Sequence, residues 1–199
     1  MKQTARHLCG VFFALLFGWM TGFSAHAAVS DAVLEKEIGT VSAYLLQTVP
    51  QPEVGSVGGE WCVLGLARAG CGTERYFDAY RSAARRTVRE TSGVLHRVKY
   101  TEYARMVLAL TALGEDPADF AGFDVLSPLR DTKKVLYQGT SGAIWALLAL
   151  DSKAYAADAA RKDYLNAIAD GIGSDGGWAL VPGSASDADL TAMALTALA

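Results

Sequence analysis

Histidine and cysteine are both scarce in this sequence, at three residues each among 199. Zinc sites and nucleophile–base pairs draw heavily on these two residue types, so such chemistry starts from a thin supply. His7 and His26 lie in the N-terminal segment, which leaves His96 in the turn Gly93-Val-Leu-His96. Nothing stands at metal-ligand spacing around it, so neither a metal nor any other cofactor is expected. A Ser-His-Asp triad would also have to use His96, in a chain with no Gly-x-Ser-x-Gly nucleophile turn. An excess of basic charge is missing too: the formal net charge is −3, which gives no support to nucleic-acid binding. No stretch alternates apolar and polar residues over four or more positions, so strands are not expected.

Long apolar runs are absent except at the N-terminus. Lys2 and Arg6 precede the apolar segment Gly10 to Phe23, and Ala25-His26-Ala27 follows it with a small-x-small pattern. Charge, short apolar stretch and small residues in that order describe a secretory leader cut after Ala27, too short for a stable membrane span. Cys9 lies before the apolar run, not where a lipoprotein cysteine stands. Residues 1–27 carry two basic residues and no acid, so removing them takes the formal charge from −3 to −5. No later stretch approaches the roughly 20 apolar residues of a membrane helix, so no span is expected after leader removal. Export permits a disulfide. Cys62 and Cys71, however, lie on or just past one expected helix, roughly 13 Å apart at its rise per residue. Free thiols are expected, because a bridge needs Cα atoms within about 7 Å.

What the sequence has in quantity is a repeated helix. Val63-Leu-Gly-Leu-Ala-Arg-Ala-Gly70 aligns with Val107-Leu-Ala-Leu-Thr-Ala-Leu-Gly114, with Ile144-Trp-Ala-Leu-Leu-Ala-Leu-Asp151 and with Ala192-Met-Ala-Leu-Thr-Ala-Leu-Ala199. Each is apolar nearly all round, which requires burial on most sides. Each follows a more amphipathic segment. Residues 31–48 carry Val33, Leu34, Ile38, Val41, Leu45 and Leu46 and stop at Pro50-Gln51-Pro52. Residues 73–91 place Tyr76, Tyr80, Ala84 and Val88 on one stripe and Arg81, Arg85 and Arg89 on another, expected to be a solvated outer face. Residues 153–171 repeat the pattern with Tyr155, Tyr164, Leu165 and Ile168, whereas 117–131 is short and broken by Gly122 and Pro128. Such alternation predicts an all-α fold in two layers, amphipathic helices outside and apolar ones inside. It is either a closed ring of helical hairpins or an open solenoid.

Gly58-Gly59-Glu60-Trp61 stands before the first inner helix, and Asp175-Gly176-Gly177-Trp178 with Asp187-Ala188-Asp189-Leu190-Thr191-Ala192 before the fourth. These resemble the repeats of squalene-hopene cyclases and protein prenyltransferases. Tyr100-Thr-Glu-Tyr-Ala-Arg105 and Gln138-Gly139-Thr-Ser-Gly-Ala-Ile-Trp145 are similar to bacterial surface proteins of the same superfamily. The resemblance covers roughly residues 31–199. It implies an α/α toroid domain over 28–199, a partial α6/α6 barrel of about four hairpins where the family closes with six. A longer natural protein is therefore expected. The paired glycines are expected to turn with φ > 0 and to let Trp61 and Trp178 brace neighbouring hairpins, although Ile172 replaces the family's glutamine. By the same resemblance Asp189 is a candidate catalytic acid with Asp187 as its partner, while Leu190 replaces a third aspartate. The competing reading is a helix cap for Ser186, Asp187 and Asp189. Gly70-Cys71-Gly72-Thr73-Glu74 is similar to a thioester motif, but Glu74 stands where the reaction needs a glutamine amide.

The candidate ligand-binding residues sit near the starts of the inner helices. They are Glu60 and Trp61, Tyr100, Glu102 and Arg105, Gln138 and Trp145, and Asp175 and Trp178. Aromatic walls with a few convergent polar groups suit an amphiphilic ligand, although each aromatic also suits core packing and Glu102–Arg105 a local pair. Three functional readings follow. The first is an exported, non-catalytic toroid that binds a small amphiphilic ligand or a cell-surface component, as animal cobalamin carriers bind on the same barrel. The second is a terpene cyclase or prenyltransferase using Asp189, and the third a structural repeat of a cell-surface protein.

Overall fold

A computed structural model describes residues 29–56, 58–155, 158–181 and 183–199. The expected leader, Cys9 and the cut after Ala27 lie outside the described residues. The chain divides after Glu37 into two compact units. Of the first unit, residues 29–37 are described, and they carry the start of helix α1 (Asp31–Thr48).

The described residues of the second unit are mostly helical. From Ile38 it holds the rest of α1, then α2 (Glu60–Ala69), α3 (Glu74–Glu90) and α4 (Thr101–Ala112). After two 3₁₀ turns come α5 (Thr132–Val135), α6 (Gly139–Asp151), α7 (Asp158–Asp170) and α8 (Ala188–Leu198). No strand occurs among the described residues, only isolated bridges at Phe120–Phe123 and Ile172–Trp178. The all-α class is therefore observed.

The expected inner helices pack in chain order, α2 on α4, α4 on α6 and α6 on α8, while α7 lies against α6. Alanine at positions 104, 109, 143, 146 and 149 is what permits this closeness; all five are buried. Ile144, Leu147 and Leu150 of α6 and Val107 and Leu110 of α4 fill the space between. On α3 the tyrosine stripe behaves as its four-residue spacing predicts: Tyr76, Tyr80, Ala84 and Val88 are all buried. Thr73 caps this helix by accepting from the Tyr76 amide at 3.3 Å. Residues 117–131 form no outer helix. Pro117 and Pro128 seed 3₁₀ turns instead, and Phe120, Val125, Leu126 and Leu129 fill the core.

Three expectations need correction. The arginines of α3 are not one solvated face. Arg81 pairs with Glu74 at 2.5 Å, Asp78 at 2.9 Å and Glu115 at 3.1 Å, and Arg85 pairs with Glu115 and lies over the Phe120 ring. Only Arg89 remains simply exposed, because Glu115, just past α4, reaches across to the other two. Dryness is also uneven. On α1, Val33, Leu34, Ile38 and Val41 are exposed, and on α8 so are Leu195 and Leu198. Among the described residues central α6 packs against α4, α7 and α8, whereas α8 packs chiefly against α6. Finally, the paired glycines act mostly through space rather than φ. Gly176 does adopt φ +84. A Cβ at Gly59, however, would sit 1.9 Å from the Glu53 carbonyl, and one at Gly177 would sit 2.7 Å from Ser186.

Candidate functional site

The start of α2 lies near the start of α4, the starts of α4 and α6 are bonded, and Trp61 at the start of α2 reaches Trp145 midway along α6. Glu60 opens α2 and is only 2% exposed. Its Oε1 accepts from the Gly55 amide at 2.9 Å and from the Tyr80 hydroxyl at 3.3 Å. Burial pushes its carboxyl above the ordinary value. The Gly55 amide and the Arg105 charge oppose that rise, and nearby Glu102 adds to it. Tyr80, wholly buried, has its hydroxyl raised well above its ordinary range by burial first and then by Glu60. Arg105 pairs with Glu102 one turn away on α4. Among the described residues, the buried atoms Glu60 Oε2 and Arg105 Nε have no hydrogen-bond partner. Native interiors rarely leave such groups unmatched.

Beside this polar cluster the Trp61 and Trp145 rings touch, with centroids 4.7 Å apart and planes tilted by 47°. Both remain partly exposed. Between α4 and α6, Gln138 accepts from the Thr101 amide at 3.1 Å and donates to the Thr101 hydroxyl at 3.4 Å. Tyr100 stacks on Tyr103 at 5.5 Å. The structure thus brings together Glu60 with Glu102 and Arg105, Trp61 with Trp145, and the helix starts carrying Tyr100 and Gln138.

Asp175, Trp178, Asp187 and Asp189 form a second group, around the turn before α8. Trp178 is buried; its Nε1 donates to Ile168 O at 2.6 Å, and its amide donates to Thr191 Oγ1 at 2.9 Å. Those bonds tie α7 to α8 without the missing glutamine, and Ile172 in that place is half exposed. Asp175 accepts from the Ser186 hydroxyl at 2.6 Å and from the Ser186 amide at 3.2 Å. The Ser186 hydroxyl first, then the backbone amides, hold its carboxyl below the usual range. Asp187 caps α8 by accepting from the Leu190 amide at 2.8 Å, and Asp189 is exposed. An acid able to protonate an alkene needs desolvation, which neither aspartate has here.

The remaining motifs carry less. Cys62 is buried, Cys71 is partly exposed, and both are free thiols. Among the described residues, no group of three or more His, Cys, Asp or Glu is placed to hold a metal, and no helix is long and apolar enough to cross a membrane. His96 is exposed but not idle, since Nδ1 accepts from the amides of Val98 and Lys99 at 3.0 and 2.9 Å.

Two adjoining cavities of about 460 and 500 Å³ escaped the sequence reading. Both are lined by Arg97, Tyr100, Asp131 and Lys134; the larger adds Lys133 and Tyr137. The signal was the basic residues just ahead of α4 and α6, Arg97 and Lys133, 36 positions apart and so unconnected until the chain folds. Comparison with family models, with curated proteins and with solved structures finds no match to this chain. The functional reading therefore rests on the chemistry of these residues.

Proposed function

We propose that the chain is an exported, non-catalytic module of the α/α toroid type. In this reading it holds a small amphiphilic ligand, or a cell-surface component, at the starts of α2, α4 and α6. The observation that carries this reading is the partly exposed Trp61–Trp145 pair next to the buried Glu60 carboxyl and the partly buried Arg105 guanidinium, each with one buried polar atom unmatched among the described residues. An apolar wall beside a few directed polar groups is what an amphiphile needs. The packing of α2, α4, α6 and α8 in chain order supports a ring-type inner wall. The capping role of Asp187 and the exposure of Asp189 weigh against the cyclase alternative.

The test is a fluorescence titration with lysophosphatidylcholine, a neutral amphiphile. Saturable change in tryptophan emission is expected in the parent and is lost in Trp145→Ala. Turnover of squalene or a prenyl diphosphate, abolished by Asp189→Asn, would overturn the reading.

A further inference from the structure

We propose that the basic wall formed by the segments preceding α4 and α6 docks on an anionic phospholipid surface, with Arg97 and Lys133 taking headgroup phosphates and Tyr137 and Val98 entering the interface. This deepens the reading of the helix starts as the binding end, and it rests on that reading. It names where an amphiphile would be presented to them.

Charge is the first argument. The chain as a whole is acidic, yet the two adjoining cavities are lined by three basic side chains and one carboxylate, Asp131. Asp131 is already committed. It accepts from the Lys134 amide as the cap of α5 and pairs with the Lys134 ammonium at 2.9 Å. Arg97 and Lys133 have no ion pair among the described residues, and Lys99 is exposed beside them. On α3, by contrast, the neighbouring arginines Arg81 and Arg85 are met by Glu74, Asp78 and Glu115.

The edge of the wall selects the partner. Tyr137 is 78% exposed and Val98 is 48% exposed. An exposed tyrosine ring and an aliphatic side chain among cations suit the headgroup–acyl boundary, where amphipathic aromatics settle. A free phosphate needs no such edge. The wall is also set before any partner arrives. The Thr101–Gln138 bonds join its two segments, and His96 closes the turn that carries Arg97 and Lys99.

The experiment is co-sedimentation of the full chain with phosphatidylcholine vesicles, with and without phosphatidylglycerol. Binding is expected only when phosphatidylglycerol is present. Arg97→Glu/Lys133→Glu removes two cations worth about fivefold each at an anionic surface, so it should weaken binding by at least 25-fold. Arg75→Glu/Arg86→Glu makes the same charge change on exposed positions of α3 and should leave binding within about twofold, the expectation for charges that never reach the surface. Equal loss in the two double variants would overturn the proposal. So would undiminished binding in Arg97→Glu/Lys133→Glu, the result if the N-terminal apolar segment did the binding. Displacement by single-stranded DNA, or by inorganic phosphate at the same charge concentration, would assign the wall to a soluble anion instead. Vesicle binding that fails while the lysophosphatidylcholine response persists refutes this inference alone.

Discussion

Two turns in this chain look nearly alike on paper, a glycine pair and a tryptophan ahead of an apolar helix, yet they fold to different ends. Trp178 is buried, and both its indole and its backbone amide are bonded to neighbouring segments. Trp61 stays partly exposed and leans on Trp145, which is also partly exposed. The acids differ in the same sense. Glu60, inside the first turn's helix, is buried and keeps an unmatched oxygen. Asp175 and Asp187 spend their oxygens on backbone amides and a serine hydroxyl. One turn is braced and complete, and the other leaves aromatic surface and polar atoms uncommitted. A shared motif therefore does not imply a shared role.

That contrast can be broken by mutation, and the largest effect should fall on the braced side. Trp178→Ala removes a buried indole and its hydrogen bond to Ile168 O while keeping the backbone amide's bond to Thr191, at about 3–5 kcal/mol in urea unfolding. Trp61→Ala should cost about 1 kcal/mol, mostly the ring–ring contact; equal losses would erase the distinction.

Next comes Glu60→Ala, which strands the Tyr80 hydroxyl and the Gly55 amide and should cost about 2–3 kcal/mol. Its pH behaviour sharpens the point. The folded-state carboxyl titrates above its ordinary value of 4.5, so the folded chain binds the extra proton between that value and the raised one. Stability should fall as pH rises through that window, and Glu60→Gln should flatten the fall. Asp175 has the opposite sign: its folded carboxyl titrates below 3.8, so its contribution is present above that pH and fades on acidification. Asp187→Ala, the loss of a helix cap, should cost about 1 kcal/mol. Smallest is Asp189→Asn, an exposed change that should move stability by no more than about 0.5 kcal/mol.

Helix positions were legible because their signals are local. The Tyr76–Tyr80–Ala84–Val88 stripe, the Pro50 stop after α1 and the cap at Asp187 each depend on residues within a few positions. Partners far along the chain were not. Glu115 reaching Arg81 and Arg85, or Lys133 beside Arg97, requires knowing which turns meet. The Glu60–Glu102–Arg105 grouping was half visible, since all three stand at helix starts. That Glu60 alone would be fully buried depends on Gly55 and Tyr80, neither of which carries a motif. Exposure of Leu195 and Leu198 was hidden as well, because apolar composition states what a helix needs, not which neighbours it has.

The most direct measurement follows the indole N–H resonances of Trp61, Trp145 and Trp178 while lysophosphatidylcholine is added to isotope-labelled protein. Trp61 and Trp145 should shift together and saturably while Trp178, held on Ile168, stays in place. Movement of Trp178 with the other two unmoved would contradict the assignment of the binding end to α2, α4 and α6.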